Sequence, residues 1–399
     1  MNRPALAAAM SVGGLEGWRR PGPQDPTLVK AVDAARRRLR ALVVEPRAGV
    51  VVAISTTAPV ERVALVLAAW HEDLCPMVLD PRALLLERGT LAAQCGARVL
   101  VADEGPLEFE PDTASVSDAA LLFTVTRVEG GERPESVEVQ TLDRLLASWA
   151  SAVLDGTTGD IALLDPPLST DALIAVLATL RAGRRCLLLG EAQHASARWD
   201  RLMGTDVQVL VGEPDTLGAA LTALDERETS DFSSPARCVA LAGTVHASTR
   251  AILRRRCPET TLLALRSDPE RGHPVGVRTL GPDADSPLRP FAGFEGADAD
   301  ADEHAGRIRR GGEVFVASDV ARSLRGAPGV VDAHVAWRDG RLLAWVVFEG
   351  RPMGLVELLQ RHMRASLPGP RRPDRVLVTP TLNRGPDGAP ASDSLRDSD

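Results

Sequence analysis

The sequence predicts an α/β protein: a large N-terminal domain of mostly parallel sheets flanked by helices, followed by a small C-terminal α+β domain. Three observations predict it. Over residues 1–280, short apolar runs alternate with longer segments of helical spacing. A stretch rich in Pro, Gly, Ala and Asp, residues 281–306, breaks that rhythm. Beyond it, residues 307–399 carry a helix–strand–strand–helix–strand pattern and a polar tail. Strand-length apolar runs separated by helix-period segments point to parallel sheets, because the crossover helices cover both sheet faces.

The elements follow in order. "GVVVAIS" (49–55) reads as a buried strand, and "VERVALVLAAWHED" (60–73) as a helix with Val63, Val66, Leu67 and Trp70 on one side. "CPMVLD" and "ARVLVAD" read as strands around the helix-like "RALLLERGTLAAQCG". The beat returns at "AALLFTVT" (119–126) and "GDIALLDPP" (159–167), then through "TDALIAVLATLRAG", "RRCLLLG", "VQVLVGEP", "ARCVALAG" and "TTLLALR". Ligands of such folds sit at the carboxyl ends of strands. The stretch 281–306 reads as an acidic linker; its "DADADEH" lacks the central Gly and terminal Glu of a calcium loop. In the last unit, Ser318 reads as an N-cap. Asp339-Gly340 reads as a hairpin turn, and Leu355, Leu359, Met363 and Leu367 as one helical stripe.

Composition narrows the function classes. The chain is 44% hydrophobic and 25% charged, with a net charge of -8 and a pI near 5.5. That balance argues against a nucleic-acid partner. No apolar run is long enough to span a bilayer, so no membrane role is expected, and the opening residues lack the apolar core of a signal peptide. The five cysteines show no metal-ligand spacing; they read as reduced core thiols of a cytoplasmic protein without a metal. Basic charge is almost wholly arginine: Lys30 is the only lysine, and there is no tyrosine.

The order of these segments resembles the adenylate-forming superfamily: acyl-CoA synthetases, fatty acyl-AMP ligases and the adenylation domains of peptide synthetases. "LLDPPLSTDALIAVLATLRAGRRCLLL" is similar to the family stretch around "PLFH…GL…LLAGA-VVL". "RRGGEVFVASDVARSLRGAPGVVDAHV" is similar to "-RGGENI-P-EVE--L--HPGV-EAAV". The resemblance runs from about Leu28 to Arg396. It implies a reaction in which a carboxylate attacks Mg-ATP and a thiol then displaces AMP. Such chemistry depends on cations placed where phosphate charge develops.

The four features that would supply those charges are degraded. Where the family's phosphate loop "TSGTTG-PKG" is expected, Thr124, Gly130 and Gly131 remain, but Val125 replaces a serine and Glu135 follows Pro134 in place of the lysine. The adenine segment matches "ALAGTVHAS", with Gly243 and Thr244; a plain strand–helix turn is the alternative, and His246 reads as a cap or surface residue. At "YG-TE" the chain has "LALRSDPERG", which leaves Asp268 and Glu270 as the only acidic candidates. In the tail, "LNRGPDGAPASDSLR" keeps Arg384 but has Ala389 at the position of the catalytic lysine. Arg307 and Arg310 retain a basic hinge-like stretch, and the ribose-binding aspartate has no counterpart.

Loss of one such donor costs ~10²–10³ in rate, and several are missing together. The resemblance therefore implies a catalytically impaired relative, a pseudoenzyme, that acts through a partner: an active acyl ligase, a carrier protein or a synthase. The alternatives are a divergent ligase that uses Arg127, Arg133 or Arg384, and a module that binds CoA or an acyl-thioester. ATP, Mg²⁺ and CoA are expected as cofactors only if activity is retained. An acyl pocket would lie near Leu168, Ser169 and Leu173, though these residues equally suit a core.

Overall fold

A helix that is apolar on every side has to be buried on every side, and two segments of this chain meet that description. In the computed structural model they are α3 (Pro59–His71), buried from Arg62 through Trp70, and α6 (Thr170–Arg181), buried from Asp171 through Leu180. Val63, Val66, Leu67 and Trp70 of the 60–73 helix are buried as expected, and so are the residues between them, because the strands Val51–Ser55 and Cys75–Val78 cover one side and the helix Leu28–Leu42 packs on another.

The structure describes residues 2–9, 28–43, 48–109, 117–126, 132–189, 202, 205–225, 234–241, 245, 247–268, 273–281, 285–292, 294, 307–310, 313–338, 341–349, 355–379 and 382. They fall into two compact units, one of residues 1–125 and 132–299 and one of residues 126–131 and 300–399.

The first unit holds two sheets. One runs in the order β4 (Gly105–Glu108), β3 (Val99–Ala102), β1 (Val51–Ser55), β2 (Cys75–Val78), β5 (Ala119–Thr126), β6 (Glu132–Glu138). Its centre is parallel, and β4 closes one edge antiparallel. The other runs in the order β13 (Arg289–Pro290), β12 (Pro274–Thr279), β11 (Thr261–Ser267), β10 (Arg237–Ala240), β9 (Val207–Gly212), β7 (Asp160–Leu163), β8 (Cys186–Leu188). Strands β7 to β11 are parallel, and β12 and β13 return antiparallel.

One apolar core joins the facing sides of both sheets. Val52 and Ile54 meet it from the first sheet, Leu163, Val211, Val239 and Leu265 from the second. Between them lie α3, α6, α2 (Leu28–Leu42) and α5 (Val139–Leu154). Alternation along each strand sends the remaining side chains outward. There Val51, Ala53 and Met77 pack with Ala92 of α4 (Leu85–Gln94). Leu164, Leu210 and Ala264 pack with α7 (Pro214–Asp225) and α8 (Ala247–Arg256). Burial on both faces is why the strands read as continuous apolar runs.

The second unit packs α9 (Ala317–Arg325) and α10 (Leu355–Ser366) on a sheet of β16 (Val330–Arg338), β17 (Arg341–Phe348) and β18 (Arg375–Val378). A ribbon of β14 (Arg307–Arg310) and β15 (Glu313–Val316) precedes it. The Arg338–Arg341 register closes the two-residue hairpin expected at Asp339-Gly340. The helical stripe is also present: Leu359, Met363 and Leu367 are buried.

Two expectations are corrected. Ser318 is not the N-cap. The chain leaves the extended conformation at Val316, the last residue paired in β15, so the helix starts at Ala317 and has no side-chain cap. The presumed linker is also not all linker. Arg289 and Pro290 pair with β12, and Phe291 and Phe294 enter the core of the first unit, because two aromatic rings gain more from burial than from solvent exposure.

Gly276 permits the β12–β13 approach: a Cβ there would lie 2.8 Å from the Arg289 carbonyl oxygen. Gly276→Ala is expected to lower stability by about 1–3 kcal/mol, the usual cost of overpacking. A urea titration showing an unchanged midpoint would contradict this account of the segment.

Candidate functional site

Parallel strands in register end together, so their carboxyl termini share one edge. In the second sheet Leu163, Val211, Val239 and Leu263 stand level. Just beyond lie Asp165 after β7, Glu213 after β9, and Ser267 with Asp268 at the end of β11. Helix α6 rises from the same edge, capped by Ser169, whose oxygen accepts the Ala172 N–H at 3.2 Å.

The polar groups here are tied to one another. Ser267 donates to the buried Asp171 carboxylate at 2.7 Å. Asp171 lies in the first turn of α6, where the helix dipole favours a negative charge. Ser169 Oγ donates to Glu213 Oε1 at 3.5 Å. Asp165 holds the start of α7, accepting from the Glu213 N–H at 2.7 Å and from Thr216 Oγ1 at 2.6 Å. His273 is buried, with its ring edge-on to Phe294 at 5.1 Å between centroids and to Phe123 of β5 at 6.5 Å. Its Nδ1 is 3.2 Å from the Pro274 carbonyl oxygen, which can only accept, so Nδ1 carries the proton in that bond. Through Phe123 and His273 the two sheets meet at this edge.

Arg62 ties the same region together from α3. It is fully buried and donates to the carbonyls of Thr56 at 3.3 Å, Leu79 at 3.0 Å and Leu168 at 3.2 Å. Those oxygens follow β1, β2 and β7, so one guanidinium spans both sheets. Burial lowers its pKa to about 10, with the charges of Asp80 and Asp103 acting in the other direction. Burial pushes the Asp80 carboxyl up, but the Arg82 hydrogen bonds and charge, with Arg62, outweigh it and hold the group below its usual range. Asp103 behaves likewise: the Thr57 N–H, at 2.9 Å, and the hydroxyls of Thr56 and Thr57 outweigh its desolvation.

Of the residues singled out in the sequence, the structure brings Leu168, Ser169 and Asp268 to one edge. Asp268 closes the β11–β12 connection, its N–H bonded to the His273 carbonyl at 3.1 Å. Leu173 lies in the core on α6. Thr124 lies on β5 beside Phe123, with its side chain outside the described residues. Gly130, Gly131, Gly243, Thr244, His246, Glu270, Arg384 and Ala389 also lie outside them. Arg307 and Arg310 belong to β14 in the second unit. Sequence reasoning missed Arg62, Asp171, Glu213 and His273. A charged residue inside an otherwise apolar helix was the available signal for Arg62 and Asp171.

Among the described residues, this edge of the second sheet presents four carboxylates, Asp165, Asp171, Glu213 and Asp268, and one imidazole. Arg62 reaches the Leu168 loop, but both of its terminal nitrogens are committed to carbonyls. Among the described residues no group of three or more His, Cys, Asp or Glu could hold a metal ion, and no helix is long and apolar enough to cross a membrane.

No family model and no curated protein matches the sequence itself. Solved structures do. A double mutant of o-succinylbenzoate CoA synthetase from Bacillus subtilis, bound to a product analogue, aligns with a TM-score of 0.67 at 15% identity, over 100% of this chain and 98% of that one. The amide bond synthetase McbA from Marinactinospora thermotolerans aligns with a TM-score of 0.68 at 16% identity, over 99% of each chain. A fatty acyl CoA synthetase from Mycobacterium tuberculosis aligns with a TM-score of 0.54 at 15% identity, over 99% of this chain and 98% of that one. The chain shares the fold of these enzymes. At such identities the likeness is one of architecture, and the chemistry has to be argued from the residues themselves.

Arg62→Met is expected to destabilise the protein by on the order of 3 kcal/mol, since three buried carbonyls lose their donor; Arg62→Lys should cost less. Equal denaturation midpoints for the Arg62→Met variant and the wild-type protein would refute this role. Acid should also weaken the fold. The Asp80 and Asp103 pKa values are lower folded than unfolded, so their stabilisation is present above about pH 4 and is lost as pH falls through the depressed values. Thermal melts between pH 6 and 2 should show this loss, and Asp80→Asn should flatten it.

Proposed function

We propose that this chain is a catalytically impaired relative of acyl-activating ligases, a pseudoenzyme that serves acyl activation by binding a partner rather than by making an adenylate. One observation carries the reading. The lysine positions of the phosphate loop and the tail hold Glu135 and Ala389, and the sole lysine, Lys30, lies in the amphipathic helix α2, far from either in sequence. The acidic edge around Asp171 and Glu213 supports it. Adenylation concentrates negative charge on the phosphates, and stabilisation there has to come from preplaced cations. A rigid guanidinium fork does not reproduce a lysine point charge. Partners of suitable chemistry are an active acyl ligase, a carrier protein or a synthase. The place of action proposed is the cytoplasm, in keeping with free cysteines that are buried or half-buried.

The test is pyrophosphate–ATP exchange with a panel of fatty and aryl acids, together with calorimetry for ATP. No exchange above the no-enzyme background is expected, and any ATP affinity should be weaker than about 1 mM, a -4.1 kcal/mol interaction. Exchange with any acid, or micromolar ATP affinity abolished by Arg133→Ala or Arg384→Ala, would instead establish a divergent ligase that uses arginines.

A further inference from the structure

Charge is distributed unequally along this chain. Residues 307–379 hold 13 arginines against 7 acidic residues, a balance of +6. Residues 1–306 hold 31 basic against 43 acidic residues, a balance of -12. Part of the excess in the second unit lies on its two helices. Helices α9 and α10 lie side by side, joined by Ser323 Oγ to Ser366 Oγ at 2.9 Å and by His362 Nε2 to the Ser323 carbonyl at 2.8 Å. Their outer surface exposes Arg322, Arg325, Arg361 and Arg364. From α10 the charge continues: Arg372 Nη2 lies 3.4 Å from the Arg364 carbonyl, and Arg310 donates to the Arg372 carbonyl at 2.9 Å.

Stability does not require this arrangement. A cation in the last turn of a helix offsets its dipole, which accounts for Arg325 and Arg364. Arg361, in mid-helix, stands one turn after Glu357, a spacing that adds little stability on an exposed surface. Like charges held close together repel one another. Two arginines of the belt have carboxylate partners in the described unit, Asp319 for Arg322 and Asp374 for Arg310. The first of these pairs leaves the Arg322 side chain 69% exposed.

We infer that this arginine-lined two-helix face docks an acidic protein surface. The inference deepens the partner reading above and rests on it. Arginine's planar fork matches carboxylates two at a time, and the unit already pairs Arg310 with Asp374. Carboxylates are the groups this belt is already seen to take, in the Asp319–Arg322 and Asp374–Arg310 pairs.

The experiment uses the full chain and a fluorescein-labelled Ala/Glu helical peptide with carboxylates at i, i+4 spacing, followed by anisotropy at 50 and 300 mM salt. A 20-base-pair DNA duplex and phosphatidylglycerol vesicles serve as comparison probes. The peptide should bind, lose about 10-fold in affinity at the higher salt, and lose another 10-fold or more with the double substitution Arg361→Glu, Arg364→Glu. Arg361→Gln with Arg364→Gln, less disruptive to the fold, should show an intermediate loss with an unchanged melting temperature. Three results overturn the inference: no peptide binding at 50 mM salt, affinity unchanged in folded variants, or tighter arginine-dependent binding of DNA or vesicles. Salt-sensitive self-association in sedimentation, lost with the same substitutions, also overturns it, because the face would then serve a second copy. Pyrophosphate exchange on the same samples separates the two readings: its appearance ends the non-catalytic proposal without altering peptide binding.

Discussion

Two sheets that share one layer of helices leave little room for polar groups in the first unit. Every strand that faces α3 and α6 is apolar on that side, and the helices are buried around their whole circumference. A polar side chain in that layer needs a partner wherever it sits, since an unsatisfied buried group costs about 1–3 kcal/mol. The carboxyl edge is where partners exist, because the strands end there and free their backbone groups. Arg62, Asp171 and Ser267 all lie at it, and each is bonded. Arg62 is the most demanding of them: one buried charge links loops from both sheets, so the spacing of the sheets at the edge depends on it.

The same constraint means that this architecture can persist whatever the loops carry. Packing of α3 and α6 maintains the scaffold and needs no lysine. The groups that would neutralise phosphates hang from loops and the tail, and substitutions there leave the core untouched.

Much of the fold was legible in the sequence. The strands of both parallel sheets announced themselves as apolar runs because both faces of each are buried. The hairpin at Asp339-Gly340 was legible because its turn residues are specific. Antiparallel β4 and β13 were not, since short edge strands carry half-polar, Pro-containing sequences such as "GPLE" and "RP". The start of α9 was misplaced because a serine near a helix start looks like a cap unless the preceding strand pairing is known. Of the site, Ser169 and Asp268 were legible from their places in the segment order. Glu213 and His273 were not, because each acquires its meaning only from a residue far away in the chain.

What the amino-acid sequence determined by itself is the class of architecture and the want of lysine. Periodicity and composition are local properties, and no folding can add an ammonium group. What the tertiary structure decided is which charges meet. Arg62 could have been a surface arginine, and Asp171 an ordinary first-turn acid. Only the packing of α3 and α6 between two sheets made the first a buried tie across three loops and the second the acceptor of Ser267. Such pairings span about a hundred residues, and that distance is closed by the burial of apolar surface, which no local pattern encodes.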